Sequence, residues 1–125
     1  MSRAALALAL LLAGCGSSAP SIRVAGGDAR RGPDLIEAYG CGSCHTIPGV
    51  EGADAGVGPP LIRWSERAFV AGRLPNTQAN LVRWIRFPQD VEPGTAMPNL
   101  DVSEADARDI AAYLYTLGDR DDYDR

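Results

Sequence analysis

Cys41-Gly42-Ser43-Cys44-His45 constrains this chain more than any other stretch. Two cysteines three residues apart, with a histidine directly after the second, follow a short helical pattern. Three chemistries use such a spacing: a redox-active dithiol, half of a zinc site, and covalent attachment of a haem. A redox dithiol wants its first thiol at the start of a helix that follows a buried strand, where its pKa falls. Here the helical pattern comes before the motif, Thr46-Ile47-Pro48-Gly49 comes after it, and no βαβ pattern surrounds it. A closed zinc site wants four Cys or His ligands. The supply is Cys41, Cys44 and His45, because the chain has one histidine and its third cysteine, Cys15, belongs to another motif. Zinc would need a carboxylate to finish the site, and adjacent Cys44 and His45 suit one small ion poorly. Haem attachment gives all three residues separate roles. The thiols add across two vinyl groups, and the histidine is placed under the iron as proximal ligand. The residues favour that reading.

A low-spin electron carrier needs a second axial ligand, usually His or Met. His45 is the only histidine, all twelve basic residues are Arg, and the only methionine besides Met1 is Met97. A lone Met more often fills a core gap. Its setting, Pro93-Gly94-Thr95-Ala96-Met97-Pro98, is a loop bounded by prolines rather than a helix face. Such stiffness suits a weak thioether ligand, so Met97 is expected on the distal side.

The first fourteen residues read as an export signal. Arg3 gives a basic start, and Ala4 to Ala13 is an apolar run of ten residues. That is well short of the roughly 20 that cross a bilayer. Leu12-Ala13-Gly14-Cys15 resembles a bacterial lipobox, which implies acylation of Cys15, a firm membrane anchor and a domain working in the periplasm. Residues 15–27 read as a lipidated, flexible Gly/Ser-rich linker with a reach of about 20 Å and a maximum near 40 Å. Residues 28–118 form the single folded domain and 119–125 a charged tail. The net charge of −4 argues against nucleic acid as a partner, which needs a basic face to release counterions.

Asp28 caps a predicted helix through Tyr39, with Gly40 as its stop and Pro33 either kinking it or marking its true start. A short helix is expected over Arg63 to Phe69. Thr77 or Asn76 caps another over Gln78 to Phe87, with Pro88 stopping it. Ser103-Glu104-Ala105-Asp106 resembles a capping box opening a final helix. There Ala107, Ile110, Ala111, Leu114 and Leu117 recur at helical spacing before Gly118. No stretch alternates as a strand does. The class is all-α, three to four short helices with long loops.

Taken together, CGSCH and the downstream GTAMP resemble a class I c-type cytochrome over about residues 28 to 118. That resemblance implies a cytochrome c-like fold wrapped around one covalently attached haem c. Gly58-Pro59-Pro60-Leu61 is similar to the family's Gly-Pro-x-Leu, which implies that the Pro59 carbonyl orients His45 and that Leu61 packs on the haem. By the same match Gly32 and Ile36 meet Ile110 and Tyr113 where the first and last helices cross. Phe69 to Gly72 and Leu81 to Ile85 line the pocket, Trp84 sits near the distal ligand, and Thr95 reaches a propionate. The lysine ring of mitochondrial cytochromes c is missing. Arg63, Arg67, Arg73, Arg83 and Arg86 remain as propionate partners or as a solvated face. The resemblance implies a one-electron carrier, not an enzyme, in a respiratory chain toward a terminal oxidase. Its donor would be a quinol-oxidising complex or a dehydrogenase. The alternative is a haem protein with an open iron site, acting as a peroxidase-like enzyme or ligand sensor.

Overall fold

Among the described residues four α-helices carry the architecture: α1 (Gly32–Ala38), α2 (Gln78–Arg86), α3 (Pro88–Val91) and α4 (Glu104–Leu114). The computed structural model describes residues 22–118. The signal read over 1–14, Cys15 and the charged tail at 119–125 lie outside the described residues. α2 and α4 start where the sequence supplies a partner for exposed backbone N–H groups, and α1 and α3 start with a proline in the first turn instead. The Thr77 side chain accepts from the Asn80 N–H to open α2, and Ser103 accepts from the Asp106 N–H to open α4. Asp106 does not complete a reciprocal box. Its carboxylate turns away to accept from the Tyr39 hydroxyl at 2.8 Å, with Arg31 at 3.5 Å.

Pro33 marks a start rather than a kink. Asp28 caps a separate single turn of 3₁₀ helix over Ala29–Arg31. α1 then begins at Gly32, with Pro33 in the first turn, where its missing N–H has no intrahelical partner to lose. Gly40 follows the helix at φ +71°, the left-handed conformation that ends it.

Two expectations are corrected. Residues 63 to 69 hold only a 3₁₀ turn, Trp64–Glu66: Arg63 stands before it at φ +49°, and Arg67 takes extended backbone at ψ 141° and ends it. Phe69–Val70 is instead a strand, β1, paired antiparallel with β2 (Leu74–Pro75) around a turn at Ala71 and Gly72. A two-residue strand is too short to alternate visibly in sequence. Pro88 ends α2 but does not end helical structure, since its ring occupies the first turn of α3.

α1 crosses α4 with almost no gap at Gly32. A Cβ there would lie 2.2 Å from the Tyr113 Cβ and 3.2 Å from the Asp109 carbonyl oxygen. Glycine lets the two backbones approach, and Ile36 and Ile110 then bury completely beside the crossing. Full burial of each such side chain contributes about 1.5–3 kcal/mol. The segment before α1 joins the same interface. Val24 is buried, Gly27 donates to the Val24 carbonyl, and a Cβ on Gly27 would strike the Arg108 carbonyl oxygen at 2.5 Å. Residues 24–27, read as linker, are therefore packed on α4, because Val24 carries apolar surface and the glycines permit close approach. Asp109, 3 % exposed, accepts from the Asp28 N–H and from Arg31, each at 2.7 Å. That buried carboxylate clasps the start of the fold to its last helix. No described helix is long and apolar enough to cross a membrane.

Candidate functional site

The Cys41–His45 motif forms a tight knot directly after α1. Cys41–Ser43 is one 3₁₀ turn, and both the Cys44 and His45 N–H groups donate to the Cys41 carbonyl. A Cβ on Gly42 would press on Ala53 at 2.9 Å, so the turn packs against the loop that follows. That loop folds back through Ile47 N–H to Ala53 O, Gly58 N–H to Cys44 O and Leu61 N–H to Thr46 O. Tyr113 of α4 donates to the Pro48 carbonyl at 2.6 Å and holds the loop down.

His45 is oriented from this loop. Its Nδ1 lies 2.7 Å from the Pro59 carbonyl oxygen. A carbonyl only accepts, so the proton resides on Nδ1 and the Nε2 lone pair is left for a metal. Gly58 lies flat against the imidazole, and a Cβ there would stand 2.5 Å from Cε1. Glycine at 58 and proline at 59 thus set the ring's plane and its tautomer.

His45, Cys41, Cys44 and Met97 all line one cavity of about 470 Å³, a volume ordinary for a bound prosthetic group. Leu61, Trp84 and Thr95 line it too, with Ile36, Leu81, Ile85, Ile110 and Leu114. The wall is mostly apolar; Ser43, His45, Arg67, Glu92 and Thr95 are its main polar members. Pro59, whose carbonyl orients the histidine, is also on the wall. Of Phe69 to Gly72, three residues face the cavity, while Val70 is buried.

Gln89 stands outside every motif of the sequence. Its amide Nε2 donates to the carbonyls of both Thr95 and Met97, each at 2.7 Å, and its Oε1 accepts from the Gly94 N–H at 3.2 Å. One amide side chain from α3 therefore fastens the loop at three points. Its polar residue type and its place just ahead of a Pro-Gly loop were the only sequence signals.

The five arginines separate into distinct roles. Arg63 pairs with Glu66, Arg73 with Glu92 at 2.6 Å and Arg86 with Glu104 at 3.4 Å, while Arg83 is exposed. Arg67 alone among them lines the cavity. Its guanidinium sits over Trp64, 5.1 Å from the ring centroid, and donates to the Pro60 and Ile62 carbonyls. Burial pushes its pKa down from the usual arginine value. Behind it, Asn76 donates to the Trp64 and Arg67 carbonyls, both at 3.0 Å, and accepts from the buried Tyr115 hydroxyl at 2.8 Å.

The donor set suits covalent haem and disfavours the other two readings. Among the described residues, no group of three or more His, Cys, Asp and Glu side chains is arranged to hold a metal ion. Burial pushes the Cys41 thiol above its usual pKa, the opposite of what a redox-active dithiol requires. Two thiols and an oriented imidazole on the wall of a large apolar cavity match a tethered, planar, largely apolar cofactor with one axial nitrogen.

Short helices and loops folded around that cavity define a class I c-type cytochrome. Residues 29–118 match the family model described as Cytochrome c, and the chain belongs to that family. The fold is similar to that of cytochrome c2 from Rhodobacter sphaeroides, at 22% identity with a TM-score of 0.57 over 75% of this chain and 98% of that one. Cytochrome c2 from Paracoccus denitrificans is similar at 23% identity with a TM-score of 0.50, over 72% of this chain and 95% of that one. In sequence, 53 residues are 45% identical to the cytochrome c oxidase subunit 2 of Alkalihalophilus pseudofirmus. That match covers 42% of this chain and only 16% of the length of the oxidase subunit. Family membership implies covalently bound haem c and makes the chain a haem electron-transfer protein.

Proposed function

We propose that this chain carries single electrons through one haem c, ligated by His45 and Met97 and held by Cys41 and Cys44. The carrier is anchored through an acylated Cys15 to the periplasmic face of a bacterial membrane. It hands electrons toward a terminal oxidase, receiving them from a quinol-oxidising complex or a dehydrogenase. The observation that carries this reading is the His45 ring, with Nδ1 committed to the Pro59 carbonyl, lining the same cavity as Met97. Haem iron supplies the reversible one-electron chemistry. The residues supply the rest: the Pro59 carbonyl makes the imidazole a stronger donor, and Gln89 restrains the thioether loop. Arg67 offers its charge to a propionate, and the apolar wall favours the less charged, reduced state. Resemblance to part of an oxidase subunit supports the terminal oxidase as recipient.

The visible spectrum of oxidised and reduced protein, with Met97→Ala beside it, tests the assignment. Wild type is expected to be low-spin and inert to carbon monoxide. Met97→Ala is expected to open the iron and lower the potential by on the order of 100 mV or more, within the ~0.8 V that axial ligands command. A wild-type protein that binds carbon monoxide as readily as the variant would sink the carrier reading in favour of a sensor or peroxidase-like enzyme.

A further inference from the structure

A second cleft, of about 400 Å³, lies on the face of α2 opposite the haem cavity. Leu81, Trp84 and Ile85 face the haem cavity, whereas Ala79, Val82, Arg83 and Arg86 face this cleft. Three arginines line it: Arg83, Arg86 and Arg108 from α4, against one acid, Glu104. Glu104 is shared by Arg108 at 2.6 Å and Arg86 at 3.4 Å, so the cluster keeps an excess of two positive charges in a chain of net charge −4. Arg83 is exposed and has no ion-pair partner among the described residues, and the buried Arg86 Nε has no hydrogen-bond partner. Apolar surface adjoins the charge: Val24, Val82 and Phe87, the last 40 % exposed with the Arg86 guanidinium 4.6 Å from its ring centroid. Guanidinium forks beside apolar side chains are the chemistry that holds a phosphodiester joined to a hydrocarbon body.

We propose that this cleft binds the phosphate of an anionic phospholipid headgroup in the membrane to which the chain is anchored. The proposal rests on the anchored reading of Cys15. Where the chain meets the fold decides the source of the phosphate. Val24, nine residues beyond Cys15, is itself part of the cleft wall, and Arg108 donates to the Ala25 carbonyl at 2.9 Å. Nine residues span at most about 30 Å. An anchor at Cys15 therefore keeps the cleft within reach of the bilayer, where each basic side chain gains attraction to an anionic surface. Docking through this face puts α2 between the membrane and the haem cavity, and directs exposed Val57 and Phe69 on the cavity wall toward partners rather than lipid.

The test uses the haem-loaded full chain with vesicles of phosphatidylcholine alone or mixed with phosphatidylglycerol. Amide hydrogen exchange is read over residues 78–87 and 104–108. Phosphatidylglycerol is expected to slow exchange in both segments, and Arg83→Gln, which removes an exposed and unpaired side chain, to weaken that response about fivefold. Equal exchange on the two vesicle types overturns the proposal. So does equal protection by inorganic phosphate added to phosphatidylcholine vesicles, or a response that Arg83→Gln leaves unchanged. Flotation with pure phosphatidylcholine vesicles reports the anchor by itself. A chain that fails to float there but shows the phosphatidylglycerol response loses the anchor and keeps the cleft.

Discussion

Gln89 illustrates how one side chain sets the behaviour of a reactive loop. Its three hydrogen bonds tie Gly94, Thr95 and Met97 to α3, so the loop's position depends on an amide as well as on Pro93 and Pro98. Gln89→Ala is expected to cost about 1–2 kcal/mol of stability. Its larger effect should be on Met97 as the proposed sixth ligand: imidazole or cyanide is expected to displace it about tenfold more easily, read from the visible spectrum. Unchanged displacement would mean that the prolines hold the loop alone. Cys41, Cys44, His45 and Met97 could be read as candidates because their chemistry leaves few alternatives in a chain with one histidine and no lysine, and the fold brings all four to one cavity. Gln89 was not, because a glutamine ahead of a Pro-Gly loop has no distinctive spacing; only the folded geometry brings its amide within reach of three backbone groups. Arg67 was one of five equivalent arginines in sequence, distinguished only by the loop that turns it inward.

Among the elements, the α1–α4 crossing carries the fold. Gly32→Ala places a methyl group where the Tyr113 Cβ already lies, so the helices must separate. A net loss of about 1–3 kcal/mol is expected on urea unfolding of the haem-loaded protein; a neutral result would mean that the crossing is looser than the structure has it. Tyr39 and Asp106 join the same two helices by a second bond. Hydrogen bonds from Tyr39 and Ser103 hold the Asp106 carboxyl below its usual pKa, and Arg30 lowers that of Asp28 to about 2. Carboxyls depressed in the fold stabilise it above their unfolded pKa, and that contribution is lost as pH falls through the folded value. The unfolding midpoint is thus expected to drop below about pH 4, and Asp106→Asn to flatten part of that drop. α4 was readable because its apolar period runs over three turns. Residues 63 to 69 misled because the backbone is left-handed at Arg63 and extended at Arg67, and a strand of two residues leaves no period to detect. The linker boundary slipped for a related reason: Gly26 and Gly27 look like flexible spacer, whereas Gly27 serves a close contact with α4.

For the molecule as a whole, the mouth of the haem cavity is apolar and nearly neutral. Val57 is 78 % and Phe69 57 % exposed, and both line the cavity. The nearby arginines at 63 and 73 are each cancelled by a glutamate. Electron delivery to the partner is therefore expected to change little between low and physiological salt, measured by stopped-flow reduction of the acceptor. A rate that fell steeply with salt would require a charged docking face elsewhere. The clasp of Asp109 on Asp28 and Arg31 has a mechanical consequence if Cys15 is anchored as proposed. Tension from the lipid side would then reach the first turn of the fold and be taken up by a buried carboxylate on α4, rather than by the loops that carry His45 and Met97.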